Sequence, residues 1–148
     1  MKISSFLLSF FCLVLLSCNN ENNQPNLCTL NSANLSGVYM ITSQTIQADS
    51  LAPVTEVFPT WADCEQDNIY NLQASGTFEF SEGILPCSNP PISETGTWNL
   101  SGNTLSLTYS NGGVTVNPII SNFDCISFKA NDYNVSTGRR TVTTYTKQ

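Results

Sequence analysis

Histidine is absent from all 148 residues. With it go the usual proton acceptor of a serine hydrolase and the commonest zinc ligand. No Ser-x-x-Lys motif supplies a lysine base instead, so hydrolase chemistry has little support. Charge is also scarce, at 11% of residues, and no Lys or Arg lies between Cys18 and Phe128. Phosphate backbones need clustered cations, so nucleic acid is not expected as a partner. The cysteines never adopt CxxC spacing, which argues against a structural zinc site or a dithiol redox centre. No apolar run reaches the roughly 18 residues of a membrane-spanning helix. The one carboxylate cluster, Asp63, Glu65 and Asp67 beside Cys64, does not match an EF-hand loop and reads as a solvated acidic turn. No catalytic residue, metal or cofactor is expected, and the chain is read as a non-enzyme.

What is present starts with an address. Lys2 precedes an apolar run from Ile3 to Leu16 that is broken only by serines, the n-region and h-region of a secretory signal. The junction Leu15-Leu16-Ser17-Cys18 resembles the lipobox of bacterial lipoproteins. That resemblance implies cleavage before Cys18, lipid (diacylglyceryl and a further acyl chain such as palmitate) on this cysteine, and attachment to a membrane. Several acyl chains anchor stably, at roughly 0.8 kcal/mol per buried methylene. No Asp follows Cys18, so an outer-membrane location in the cell envelope is favoured over inner-membrane retention. The organisation expected is a signal over residues 1–17, a lipidated cysteine with a polar Asn/Gln tether over 18–34, and one folded domain over 35–148. After cleavage four basic residues remain against eleven acidic ones. Those four, Lys129, Arg139, Arg140 and Lys147, all lie near the carboxyl end. They read as a solvated edge, with Arg139-Arg140 the most testable part of any anion-binding surface.

Beyond the anchor four cysteines remain, Cys28, Cys64, Cys87 and Cys125. An even count in an exported chain suggests two disulfides. Three connectivities are possible, of which Cys64–Cys87 with Cys28–Cys125 is favoured: the first ties a loop to a neighbouring hairpin, the second pins the tether to a late strand. The rest reads as short, Thr-rich, alternating segments between Gly, Asn, Pro and Ser clusters, which is an antiparallel all-β pattern. Strands are expected at residues 35–46, 68–73, 76–81, 96–100, 104–109, 114–121, 124–130 and 140–146. About eight such strands suffice to close a barrel. Pro118 marks an edge or a bulge. The stretch 47–67 is irregular, with one helical turn possible near Cys64, and long loops are often functional. Within it Asp49-Ser50-Leu51 resembles an O-glycosylation acceptor centred on Ser50.

Several segments together resemble the lipocalin-like domain family of bacterial lipoproteins: Leu35-Ser36-Gly37-Val38-Tyr39, Cys64-Glu65-Gln66-Asp67-Asn68-Ile69, Gly76-Thr77-Phe78, and Gly96-Thr97-Trp98-Asn99-Leu100-Ser101-Gly102-Asn103-Thr104-Leu105. Tyr39 and Tyr70 stand where the family usually has Trp and Phe. The resemblance implies an up-and-down antiparallel barrel with a cavity for one small apolar molecule, and names no ligand. With no catalytic constellation in the sequence, a binding module is the leading reading. Two functional readings stay open. In one, Tyr39, Tyr70, Phe78, Phe80, Trp98, Tyr109 and Phe128 line a cavity for a small apolar molecule. In the other they fill the barrel, and residues 47–67 meet another protein, as in an envelope component or an inhibitor.

Overall fold

The computed structural model describes residues 28–148. The expected signal, Cys18 and the start of the tether lie outside the described residues. A helical turn, α1 (Ser32–Leu35), precedes ten strands. These are β1 (Gly37–Gln47), β2 (Val54–Glu56), β3 (Ile69–Leu72), β4 (Thr77–Ser81), β5 (Ser93–Ser101), β6 (Thr104–Tyr109), β7 (Thr115–Val116), β8 (Ile119–Ser121), β9 (Ser127–Asn134) and β10 (Arg139–Lys147). Eight form the expected closed antiparallel barrel, β1-β3-β4-β5-β6-β8-β9-β10, which shuts where β10 pairs with β1. The other two are short riders, β2 on the end of β1 and β7 on the end of β6.

Most expected strands form, and the differences have local causes. The first shortens at its start because the Asn31 side chain accepts the Asn34 amide and caps α1, drawing Leu35 into a helical turn. The expected strand 114–121 splits at Asn117-Pro118 into β7 and β8. Pro118 has no N–H for a ladder, yet its carbonyl still accepts the Leu105 amide. The strand expected at 124–130 starts later and runs on to Asn134, since Asp124 caps the preceding turn by accepting the Ile126 and Ser127 amides. Residues 47–67 hold more order than expected: β2, a 3-10 turn at Phe58–Thr60, and α2 (Asp63–Gln66).

Alternation sends one side chain in two inward. Leu35, Tyr39, Leu72, Phe78, Trp98, Leu105, Ile120, Phe128 and Ala130 form the buried core. Along β1, Tyr39 and Ile41 face inward, and a bulge between Ile41 and Ser43 shifts the phase, after which Gln44 reaches the buried Thr143 hydroxyl. Gly96 has a packing role. A Cβ there would strike the Thr108 carbonyl and the Phe78 ring, so the ring of β4 lies directly on the backbone of β5.

The two ends of the barrel differ. One is sealed: Leu35 has no exposed surface, Leu30 packs against the core, and the Leu35 carbonyl accepts the Tyr39 hydroxyl at 2.7 Å. The Lys147 ammonium donates to the Asn34 carbonyl at 2.8 Å and lies 5.6 Å over the Tyr39 ring. The Trp98 indole donates to the Gln73 carbonyl at 2.8 Å. The Cys28–Cys125 disulfide fastens the incoming chain to the β8–β9 loop at this end. The opposite end carries the connections 48–68, 82–92, 110–118 and 135–138, and the Cys64–Cys87 disulfide joins the first two. Both favoured cysteine pairs are therefore formed. Such closures stabilise by about 3 to 5 kcal/mol each. All eight barrel strands, both disulfides and the core lie within residues 28–148.

Substituting Gly96→Ala is expected to cost about 1 to 3 kcal/mol of stability, read as a lower urea midpoint at unchanged slope. Adding Phe78→Leu should recover part of the loss.

Candidate functional site

Inside the barrel the aromatic side chains meet one another. Tyr39 packs edge-on to Phe128 with ring centres 5.1 Å apart, and Phe128 stacks on Tyr145 at 5.0 Å. Tyr145 meets Tyr70 edge-on at 5.3 Å, Tyr70 meets Phe80 at 5.2 Å, and Phe78 meets Tyr109 at 4.9 Å. These contacts leave an enclosed void of only about 30 Å³ between Tyr39, Tyr70, Leu72, Phe78, Phe128 and their neighbours. That space admits about one water. An enclosed ligand chamber lined by all seven predicted aromatics is therefore corrected: inward rings from neighbouring strands interlock and fill an eight-stranded barrel. Trp98 and Phe80 line neither this void nor the space above it.

That second space is a pocket of about 230 Å³ towards the unsealed end. Tyr70, Tyr109 and Tyr145 meet there, with Leu107, Val116, Pro118 and Ala130 as apolar wall and Gln44, Asp132, Thr141 and Thr143 as polar wall. Of the predicted set only Tyr70 and Tyr109 reach it. Tyr145 was missed, although the alternation Thr141/Thr143/Tyr145 in β10 is the signal that would have found it. Burial pushes the Tyr70 phenol up to about 12, helped by the facing Tyr109. Burial likewise raises Tyr145, with smaller contributions from Tyr70 and Tyr109. Tyr109 is raised by burial and by the Glu94 carboxylate. The three phenols are thus neutral near pH 7, each able to donate and accept a hydrogen bond.

The loops around this pocket are held by local polar contacts. Glu65 accepts the Ala62 amide at the start of α2, and Asp67 accepts the Leu85 amide, bracing the 48–68 loop against the 82–92 loop beside their disulfide. Asp67 fits because Gly83 has no side chain to collide with it. The acidic cluster thus caps and braces, while Asp63 stays exposed. Glu82 accepts the Ser88 hydroxyl and the Ile92 amide within the second loop, and the Ser88 bond chiefly holds its carboxyl below the usual range. Ser50 sits exposed in a turn where Asp49 accepts the Leu51 and Ala52 amides. Arg140 lies on the outer wall, away from the pocket.

The phenols also set an alkaline limit. Tyr39 is raised by burial as well. Because the folded phenols hold their protons more tightly than unfolded ones, stability is full below the ordinary phenol value of 10 and falls as pH rises through 10 towards 12. Phenolate absorbance of the folded protein should show Tyr39, Tyr70, Tyr109 and Tyr145 still un-ionised past pH 10, with release coinciding with loss of near-UV dichroism. Titration of all tyrosines near 10 in the folded state would contradict the buried arrangement.

The crystal structure of a lipocalin-like protein from Bacteroides uniformis is similar at a TM-score of 0.50 and 15% identity, covering 78% of this chain and 99% of that one. A redesigned β-barrel is similar at a TM-score of 0.40 and 17% identity, covering 79% of this chain and 94% of that one. No curated protein sequence matches the chain. The family model for the lipocalin-like domain matches residues 35–124, more than half of the sequence, and the chain belongs to the lipocalin-like domain family.

Proposed function

We infer that the chain is a lipid-anchored, non-catalytic binding module of the bacterial cell envelope. It takes a small, mainly apolar molecule with one polar group into the pocket at the open end of its barrel. The observation that carries this reading is the convergence of three neutral phenols under an apolar wall in a space of about 230 Å³. Few polar groups in a mostly apolar recess are the usual composition of a small-molecule site. The pocket is below drug size, so a ligand would seat one end there and leave the rest between the loops.

Attachment through Cys18 is supported by the lipobox resemblance and by two disulfides, which persist in oxidising compartments.

 The Cys28–Cys125 bond holds the incoming chain at the sealed end, so an anchor at Cys18 would turn the open end away from the membrane. The absence of Asp after Cys18 favours an outer-membrane location over inner-membrane retention.

A second reading, contact with another protein through the loops, is favoured by one observation. Leu51, Ile84 and Val135, at the tips of three of the open-end connections, are 94%, 92% and 83% exposed. Native mass spectrometry separates the two. Residues 27–148 purified from the protein's own host should carry a reproducible small adduct. The adduct should be lost in Leu107→Trp, which fills the pocket, and weakened in Tyr70→Phe/Tyr109→Phe, which keeps its shape. A repeated absence of any adduct would sink the small-molecule reading.

The anchor has its own test. Cys18→Ser should abolish palmitate labelling and release the protein from the membrane fraction. A variant that stays labelled and membrane-bound would refute attachment at this residue.

A further inference from the structure

The outer wall of the barrel carries a groove of about 320 Å³ that is separate from the pocket at the open end. The two spaces are lined by alternate residues of the same strands. Gln44, Ala130 and Thr143 face the pocket, whereas Thr45, Asn131 and Val142 face the groove, so the sheet itself stands between them.

The groove crosses β8, β9, β10 and β1. Two of the few cations in the chain, Lys129 and Arg140, line it. Among the described residues neither has a carboxylate partner, although the chain as a whole is acidic. Arg140 is instead positioned by a neutral group: its guanidinium donates to the Asn131 side chain at 3.0 Å. Asn131 is itself fixed, donating to the Ser121 hydroxyl at 2.9 Å and the Ile119 carbonyl at 3.0 Å. A guanidinium aimed by a braced amide keeps its remaining donors for an incoming acceptor.

The groove surface between and beside the cations is mainly hydroxyl and amide, from Thr45, Gln47, Ser121 and Asn122, with Val54 and Val142 as its apolar part. Next to it stands an aromatic platform. Tyr133 lies directly across from Arg140 in the β9–β10 ladder, which puts both side chains on the outer face, and the residue is 61% exposed. Amides and hydroxyls match vicinal hydroxyl groups, an open ring matches the C–H face of a pyranose, and unpaired cations match carboxylates. All three features meet in one ligand class.

We propose that this groove binds an acidic oligosaccharide, a chain of uronate sugars, with Arg140 and Lys129 on its carboxylates and Tyr133 beneath a sugar ring. Calorimetry on the full chain in mild detergent tests it with defined probes: oligogalacturonate, a neutral malto-oligosaccharide of equal length, and polyglutamate. Oligogalacturonate should bind, more weakly as salt rises. Arg140→Gln and Lys129→Gln should each weaken it by about tenfold or more, and Tyr133→Ala should weaken it as well. These side chains are exposed, so the variants should fold, which dichroism checks. Leu107→Trp, at the open-end pocket, should leave this binding unchanged, so that failure here and failure of the small-molecule site are read separately. No binding of oligogalacturonate, equal binding of the neutral sugar, or equal binding of polyglutamate would each overturn the proposal.

Discussion

Pairing of β10 with β1 is the contact on which the rest of the barrel depends. These two strands are remote in sequence, and until they meet the sheet has two open edges and its aromatic face is exposed to water. Their ladder runs from Tyr39 with Lys147 to Gln47 with Arg140. Closure also brings Tyr145 against Tyr70 and Phe128, and carries Lys147 to the Asn34 carbonyl at the sealed end. One long-range pairing therefore removes both edges, completes the core and shuts one end.

Once closed, an eight-stranded barrel has little room to spare, and aromatic side chains decide how that room is divided. Leu35, Tyr39, Phe78 and Phe128 consume the sealed half. Towards the other end Gln44, Asp132, Thr141 and Thr143 face inward in place of large apolar groups, and there the interior opens. The pocket thus arises from a change in residue size and polarity along the inward positions of β1, β9 and β10, with the bulge in β1 bringing Gln44 inward. The polar wall and the buried phenols line the same space. The result is a site with hydrogen-bonding capacity but without charge on its tyrosines near neutral pH.

Much of the fold was legible because it is periodic. The alternation Phe78/Phe80 and Leu105/Leu107/Tyr109 marked inward faces correctly, and Pro118 marked the break between β7 and β8. Cysteine spacing left three pairings open, and choosing between them needed the places of the two loops and the tether relative to the barrel ends. The site was less legible. Tyr70 and Tyr109 could be named as aromatics on inward faces, but Tyr145 joins them only through barrel closure, a non-local event. The same holds for the outer groove: Arg140 stood out as one of an Arg pair, whereas its proximity to Asn131 and Lys129 depends on the register of β9 with β10.

The chain enters and leaves the barrel on one side. Cys28 is fastened to Cys125 beneath the sealed end, and the Gln148 amide donates to the Val38 carbonyl near the start of β1. Every connection at the far end is consequently an internal loop whose two stems are fixed by strands. Such loops can change in length and composition without disturbing how the barrel is tethered or capped. Selection on what the open end recognises is thereby uncoupled from selection on how the domain is held.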